Sequence, residues 1–357
     1  MTEPGQQDAA DRPSFDITTP DDGGRRSPGR GGRGARPALA AGTTALRVAY
    51  IPILPMAQLF VIEAEGWARQ AGLALHGTSF SSGPAMVQAL ASGRFDVAYI
   101  GIGPAMVAQA HGVDLRIVAA NGEGQIALLG RGKLAGMWPH AASPAAAFAA
   151  FRKATGRKAR IGSLPRGSVP DTVLRYWLNE VAHVPRDAVE VMGFGASALQ
   201  QALLSGSLDA ASTLEPTLTI VQEREPDARI LARGDAMFPG QPGAVLAVTQ
   251  RLAHENPAAV QAMVDLHVRA TRFLRTHPHR AAADLAKTLG KGLIPEATLL
   301  RAVQSPSLNP IADPRRIIAA TEKLNAYQAK IDHIGKVADV GAMFDASFYM
   351  HAVKSAG

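Results

Sequence analysis

Two stretches of this chain repeat at one fixed spacing, and that spacing limits the folds open to it. QALASGRFDVA at 88–98 matches QALLSGSLDAA at 201–211 in seven of eleven positions, an offset of 113 residues. The same offset sets RVAYIP at 47–52 beside RIGSLP at 160–165. Two blocks at one spacing describe a duplicated unit, or two lobes of one topology. In each copy a helix ends at Ser-Gly, where glycine accepts the left-handed turn, and an Asp then opens a short apolar strand. At about 150 residues per domain, 357 residues accommodate two such lobes.

The rest of the chain fits this unit. Short apolar runs read as strands at 46–51, 73–79, 95–100, 115–120, 158–164, 188–192, 208–213 and 243–248. Amphipathic stretches near 57–70, 84–91, 104–111, 169–182 and 196–205 alternate with them. Repeated strand–helix alternation predicts mainly parallel sheets with helices on both faces. Beyond Glu255 the pattern is helical to the end. The fold class expected is α/β, two doubly wound lobes with a ligand cleft between them and a helical C-terminal part. The division expected is a tail at 1–45, a discontinuous first lobe of 46–130 plus 236–357, and a second lobe of 131–235. In open α/β sheets ligands bind outside the carboxyl ends of the strands. The loops at 52–57 and 165–170 therefore face each other across the cleft.

Composition narrows the chemistry. There is no cysteine, which excludes a disulfide framework, a thiolate zinc site and a cysteine nucleophile. Aromatic residues are 5%, too few for a platform that stacks single-stranded nucleic acid. The formal charge is +7. Segment 1–45 holds six Arg and six Asp or Glu and is neutral, so the surplus lies on the body and slightly favours anionic ligands or acidic surfaces. Its run GRRSPGRGGRGAR reads as a solvated, disordered tail. No membrane span is expected, because Pro52, Pro55 and Gln58 interrupt the most apolar stretch. Arg25-Arg26 lacks the apolar core that a secretion signal needs.

No cofactor and no metal site is read from the motifs. Gly101-Ile102-Gly103-Pro104 follows a strand and opens a helix but lacks the third glycine of a dinucleotide fingerprint. His277 and His279 form the one tight histidine pair and read as a helix-end turn. Ser168 and Asp171 have capping-box spacing, which sets a helix N-terminus at the cleft, with Gly167 admitting close approach.

The blocks together resemble a known family. LRVAYIP, SGPAMVQALASGRFDVAYIGIGPAMVAQAHGVDLRIVA at 82–119, RIGSLPRGSVPDTVLRYWLNE at 160–180, QALLSGSLDAASTLEP at 201–216 and GAVLAV occur in the order of the periplasmic solute-binding proteins of ABC importers. The likeness is to the branch that binds nitrate, alkanesulfonates and taurine, and it covers about 46–330. It implies a hinged two-lobe receptor, not an enzyme. The implied partners are an anionic or zwitterionic small molecule and an ABC permease–ATPase complex, without nucleic acid. The implied location is the periplasm, with the cytoplasm left open by the incomplete leader. The implied ligand contacts are Leu54, Met56 and Ala57; Ser81, Ser82 and Gly83; Gly101 and Gly103; Arg166, Gly167, Ser168, Val169 and Thr172; and Glu215. Where the family has Gly-Ser-Thr this chain has Gly167-Ser168-Val169, and Pro170 brings no N–H. Two other readings stay open: a biosynthetic enzyme on the same bilobal fold, as in thiamine-pyrimidine or menaquinone synthesis, and a cytoplasmic ligand-sensing domain.

Overall fold

A computed structural model describes residues 42–332 and 338–355. The expected tail at 1–45 falls almost wholly outside the described residues. Ten strands build two five-stranded sheets: β1 (Thr44–Tyr50), β2 (Leu73–Ser79), β3 (Val97–Gly101), β4 (Leu115–Ala120), β5 (Ala127–Gly130), β6 (Ala159–Ser163), β7 (Val189–Gly193), β8 (Ala210–Thr213), β9 (Arg229–Arg233) and β10 (Ala244–Thr249). The orders are β2-β1-β3-β10-β4 and β7-β6-β8-β5-β9. Strands such as β3 and β5 are apolar and buried along nearly their whole length, because helices cover both faces of each sheet.

The two sheets have one topology, and each contains one strand lent by the chain as it crosses over. β5 follows β4 but runs antiparallel between β8 and β9. β10 follows β9 but runs antiparallel between β3 and β4. The expected boundary at 130 therefore falls one strand too late: β5 belongs to the second sheet, and the first crossover is 121–126. β5 and β9 are the two strands that the sequence pattern did not separate. β5 is only four residues long and sits inside an Ala- and Gly-rich run. β9 is three apolar residues between two arginines at a half-exposed edge.

The repeat also explains itself at the Asp. Asp96 Oδ2 accepts the Arg47 backbone N–H at 3.0 Å, and the Asp96 N–H donates to the Arg47 carbonyl at 2.9 Å. One unit on, Asp209 Oδ2 accepts the Arg160 N–H at 2.8 Å and returns a bond to the Arg160 carbonyl at 2.9 Å. In each lobe the Asp clasps the incoming strand to the first strand. Arg47 and Arg251 hold Asp96 through side chains, and Arg157 holds Asp209. These arginines keep the Asp96 carboxyl below its usual range against the opposing effect of burial.

The C-terminal helices pack mainly on the first lobe. Pro257–Thr276 lies against the helix Ala57–Ala64, and Ser347–Ser355 lies against Pro257–Thr276. The helix Ile318–Asp332 touches both Ile102–Ala110 of the first lobe and Val169–Tyr176 of the second. It straps the two together. His277 and His279 sit at the junction of Pro257–Thr276 and Pro278–Thr288.

Candidate functional site

The carboxyl ends of the strands from both lobes meet at one narrow space. Ile51, Ile53, Pro55 and Met56 line it from the loop after β1, and Leu164 from the end of β6. Gly83, Gly101 and Pro104 add the first lobe's helix starts. Ser168, Val169, Pro170 and Leu214 add the second lobe's. The crossovers contribute Ile126, Gly243 and Ala244. The volume is about 30 Å³, room for about two waters at roughly 10–15 Å³ each. Side chains of both lobes thus fill most of the cleft.

The wall has the symmetry of the repeat. At the offset of 113, Ile51 pairs with Leu164, Pro55 with Ser168, Met56 with Val169, and Gly101 with Leu214. All eight line the cavity. Each strand end in one lobe therefore delivers the same position as its counterpart in the other. The hinge holds the loops in register. Asn121, the first crossover residue, donates through Nδ2 to the Pro55 carbonyl at 2.9 Å, and its own carbonyl accepts from Gln58 at 2.8 Å. Gln241 accepts the Ile126 N–H at 2.7 Å and donates to the Gly234 carbonyl, tying one crossover to the other. Across the lobes, the Leu54 N–H donates to the Glu215 carbonyl at 3.2 Å and the Ala196 N–H to the Ser81 carbonyl at 3.3 Å.

The helix start at 168–172 is half a capping box. Ser168 Oγ accepts the Asp171 N–H at 3.4 Å. The Ser168 N–H is bound to the Pro165 carbonyl and the Thr172 N–H to the Ser168 carbonyl, each at 3.0 Å. Pro170 has no N–H. The buried Asp171 carboxylate at the third helical position is held by Arg175 at 3.0 Å. Most of the orphan donors of this helix are consumed, and its dipole is partly offset by Asp171.

All five expected loops reach the cavity, but not every expected residue does. Met56, Gly83, Gly101, Ser168 and Val169 line it. Leu54 and Ala57 are buried beside it without lining it. Ser82 caps the helix Gly83–Ala91 by accepting the Ala85 N–H, and Thr172 donates back to the Ser168 carbonyl. Ser81, Gly103 and Gly167 lie on the seam between the lobes. A Cβ at Gly103 would stand 3.1 Å from the Gly167 carbonyl oxygen, and Gly167 has φ +84°. That turn sends Arg166 outward, where it donates to the Ile331 carbonyl and borders surface grooves. Glu215 is buried behind the cleft and caps the next helix by accepting the Thr219 N–H at 3.0 Å. Burial raises its pKa, opposed by hydrogen bonds from Ser305 and Thr219. The wall residues outside the expected loops are Ile51, Ile126, Leu164, Gly243 and Ala244. All lie at strand ends or crossovers, and the repeat offset itself points to Ile51 and Leu164. Among the described residues no group of three His, Cys, Asp or Glu is placed to hold a metal ion, and no helix is long and apolar enough to cross a membrane.

Two α/β lobes of one topology, two crossovers and a cleft at the strand ends define a hinged, two-lobed ligand-clamp fold. The chain belongs to the NMT1-like family, whose model matches residues 39–290. It is 29% identical over 247 residues, 68% of this chain and 71% of the relative, to a Brucella abortus protein whose name describes it as a binding protein. The periplasmic nitrate-binding protein NrtA from Synechocystis PCC 6803 shares the fold with a TM-score of 0.74 at 13% identity, over 88% of this chain and 89% of that one. The alkanesulfonate-binding protein SsuA from Xanthomonas axonopodis pv. citri, bound to MOPS, does so with a TM-score of 0.68 at 19% identity, over 86% and 99%.

Proposed function

We propose that this protein is the solute-binding receptor of an ABC importer, closing its lobes on a small organic molecule. The observation that carries this reading is the convergence of five strand-end loops and both crossovers on one interlobe cavity. Met56, Gly83, Gly101, Ser168 and Val169 are the proposed contacts among the residues expected from sequence. The receptors for nitrate and alkanesulfonates with the same fold support a permease–ATPase partner and a periplasmic location. Binding rather than catalysis is supported by the cavity wall: among the described residues it carries one hydroxyl, Ser168, and no carboxylate, imidazole or amine. A serine nucleophile needs a base within hydrogen-bond reach, and Ser168 Oγ instead accepts a backbone N–H.

The test is to incubate the purified protein with a metabolite extract, remove free solute and identify what is retained by native mass spectrometry. One stoichiometric small molecule, recovered unchanged, is expected. A retained molecule that is converted to product on standing would instead make the protein an enzyme. Cell fractionation of the tagged protein checks the compartment, with recovery in the periplasmic fraction expected.

A further inference from the structure

A second space lies behind the cleft and shares no lining residue with it. It opens between the helix Thr217–Arg224 with β9 on one side and the segment from Arg301 to Ser307, at the end of the helix Glu296–Gln304, on the other. Its volume is about 310 Å³, against about 30 Å³ in the cleft, and falls at the lower end of small-molecule pockets, roughly 300–1,000 Å³. The wall carries two acids and two arginines, and only one pair is closed. Arg301 is ion-paired with Glu223, which also accepts the Thr298 hydroxyl at 2.8 Å. Glu215 and Arg233 line the same space but form no ion pair with each other. Arg233 Nη1 donates to the Ser307 hydroxyl at 3.1 Å, and the other donors of its fork have no partner among the described residues. Glu215 is 2% exposed. Its carboxylate accepts the Thr219 N–H at 3.0 Å and a bond from Ser305, which fills about half of the roughly four lone-pair sites that a carboxylate offers. Among the described residues no cation stands within ion-pairing distance of it.

A buried carboxylate costs free energy until a countercharge reaches it. The chain's own cation, Arg233, attracts Glu215 through space but is held on Ser307. A ligand that bears both charges completes both groups. Its ammonium meets Glu215, and its carboxylate meets the fork of Arg233 in the charge-assisted geometry that guanidinium favours. Leu218 and Ile230 line the space as well and suit a short run of methylenes between the two charges. We propose that this crevice is a second binding site, for a small zwitterionic amino acid. It stands independently of the receptor reading and of the solute in the cleft. Its link to the cleft is Glu215 itself, whose carbonyl accepts the Leu54 N–H at 3.2 Å.

Glycine, β-alanine and 4-aminobutyrate carry both charges at increasing separation. Each is titrated by calorimetry against the full-length protein, with butyrate and butylamine as controls that carry one charge. At least one zwitterion is expected to bind with a millimolar or lower Kd, and about tenfold or more tighter than either control, the effect of one charged hydrogen bond. Arg233→Gln, at an exposed position, is expected to weaken that zwitterion by about tenfold or more. Arg233→Glu is expected to reverse the preference in favour of butane-1,4-diamine. Glu215→Gln is expected to weaken the zwitterion as well; if circular dichroism shows that it does not fold, the two Arg233 variants decide. The absence of zwitterion binding at millimolar concentration overturns the site, as do controls that bind equally well. Binding that Arg233→Gln leaves unchanged also overturns it, because the ligand then sits elsewhere. The metabolite-extract experiment on Arg233→Gln keeps the two readings apart: a solute retained as by the wild-type protein belongs to the cleft, whatever becomes of the second site.

Discussion

Substituting Gly103 tests whether the seam between the lobes is what closure depends on. A Cβ there would lie 3.1 Å from the Gly167 carbonyl oxygen, 3.3 Å from Gln328 Oε1 and 3.4 Å from the Val169 nitrogen. The first contact is with backbone of the opposite lobe and has no flexible end to yield. Overpacking of this kind costs roughly 1–3 kcal/mol, and it is felt only when the lobes are shut. Position 103 is also inside the helix Ile102–Ala110. There Gly→Ala stabilises the helix by about 0.5–1 kcal/mol in either state. Gly103→Ala should therefore raise or preserve the melting temperature while the closed fraction falls. Gly103→Val, with two more methyls at the seam, should reach the upper end. A shift of 1–3 kcal/mol is a factor of about 5–150 in the closure equilibrium, and apparent ligand affinity falls with the closed fraction. The cysteine-free chain allows clean labelling of Gln88→Cys and Glu190→Cys, exposed positions on the two lobes, for a spin–spin or fluorescence distance. An unchanged distance distribution together with a lowered melting temperature would refute the reasoning, because it would mean that Gly103 serves the lobe's own packing.

Three further perturbations follow from the fold. Asp96→Ala removes a buried acceptor that both clasps β3 to β1 and binds two arginines. It should cost about 2–3 kcal/mol by chemical denaturation, and Asp209→Ala should cost less because Asp209 holds one arginine rather than two. Gln241→Leu leaves the Ile126 N–H at the crossover without its acceptor, an expected loss of about 1–3 kcal/mol, measured as a lower denaturation midpoint. The pH dependence carries opposed slopes. Burial raises the Glu63 carboxyl from 4.5 to about 7, so the folded state binds the extra proton and stability falls as pH rises from about 4.5 to 7. Burial lowers His267 from 6.5 to about 4, so its share of stability is present above 6.5 and is lost as pH falls toward 4. Over about 4.5–6.5 the two contribute roughly 1.4 kcal/mol per unit each with opposite sign, and Asp284, raised by burial from 3.8 to about 6, adds a second falling slope below 6. Glu63→Gln removes only its own slope, so over about 4.5–7 the stability of the variant should change with pH by roughly 1.4 kcal/mol per unit more positively than that of the parent protein in denaturation curves. The same slope in both proteins would contradict the assignment.

The parts of the fold that were legible in the sequence are those fixed by local rules. The helix–Ser-Gly–Asp block recurs because the same backbone turn and the same Asp clasp are needed twice, and it dates the topology of both sheets at once. The cap at Ser168 was readable from its capping-box spacing to Asp171, whereas Ser82, expected as a ligand contact, is a cap as well. The strand exchange was less so. β5 and β10 obtain their partners from opposite halves of the chain, and no local propensity records which sheet a four-residue apolar run will enter. The direction of Arg166 was also not legible, since it depends on the left-handed turn at Gly167 and on a carbonyl at Ile331, 165 residues away.

The same reasoning separates the symmetric from the asymmetric content of the site. Duplication delivers the same strand-end positions to the cleft from both sides, so Ile51 answers Leu164 and Met56 answers Val169. A wall inherited twice is conservative in chemistry: apolar against apolar. Specificity must then enter where the copies differ. At the offset of 113, Ser168 replaces Pro55, and Arg166 replaces Ile53. Of these two polar replacements, the arginine is carried out of the cleft by the turn at Gly167, and only the serine remains at the wall. At the wall the two copies therefore differ by one hydroxyl, and the charge of the arginine is delivered to the outer surface instead.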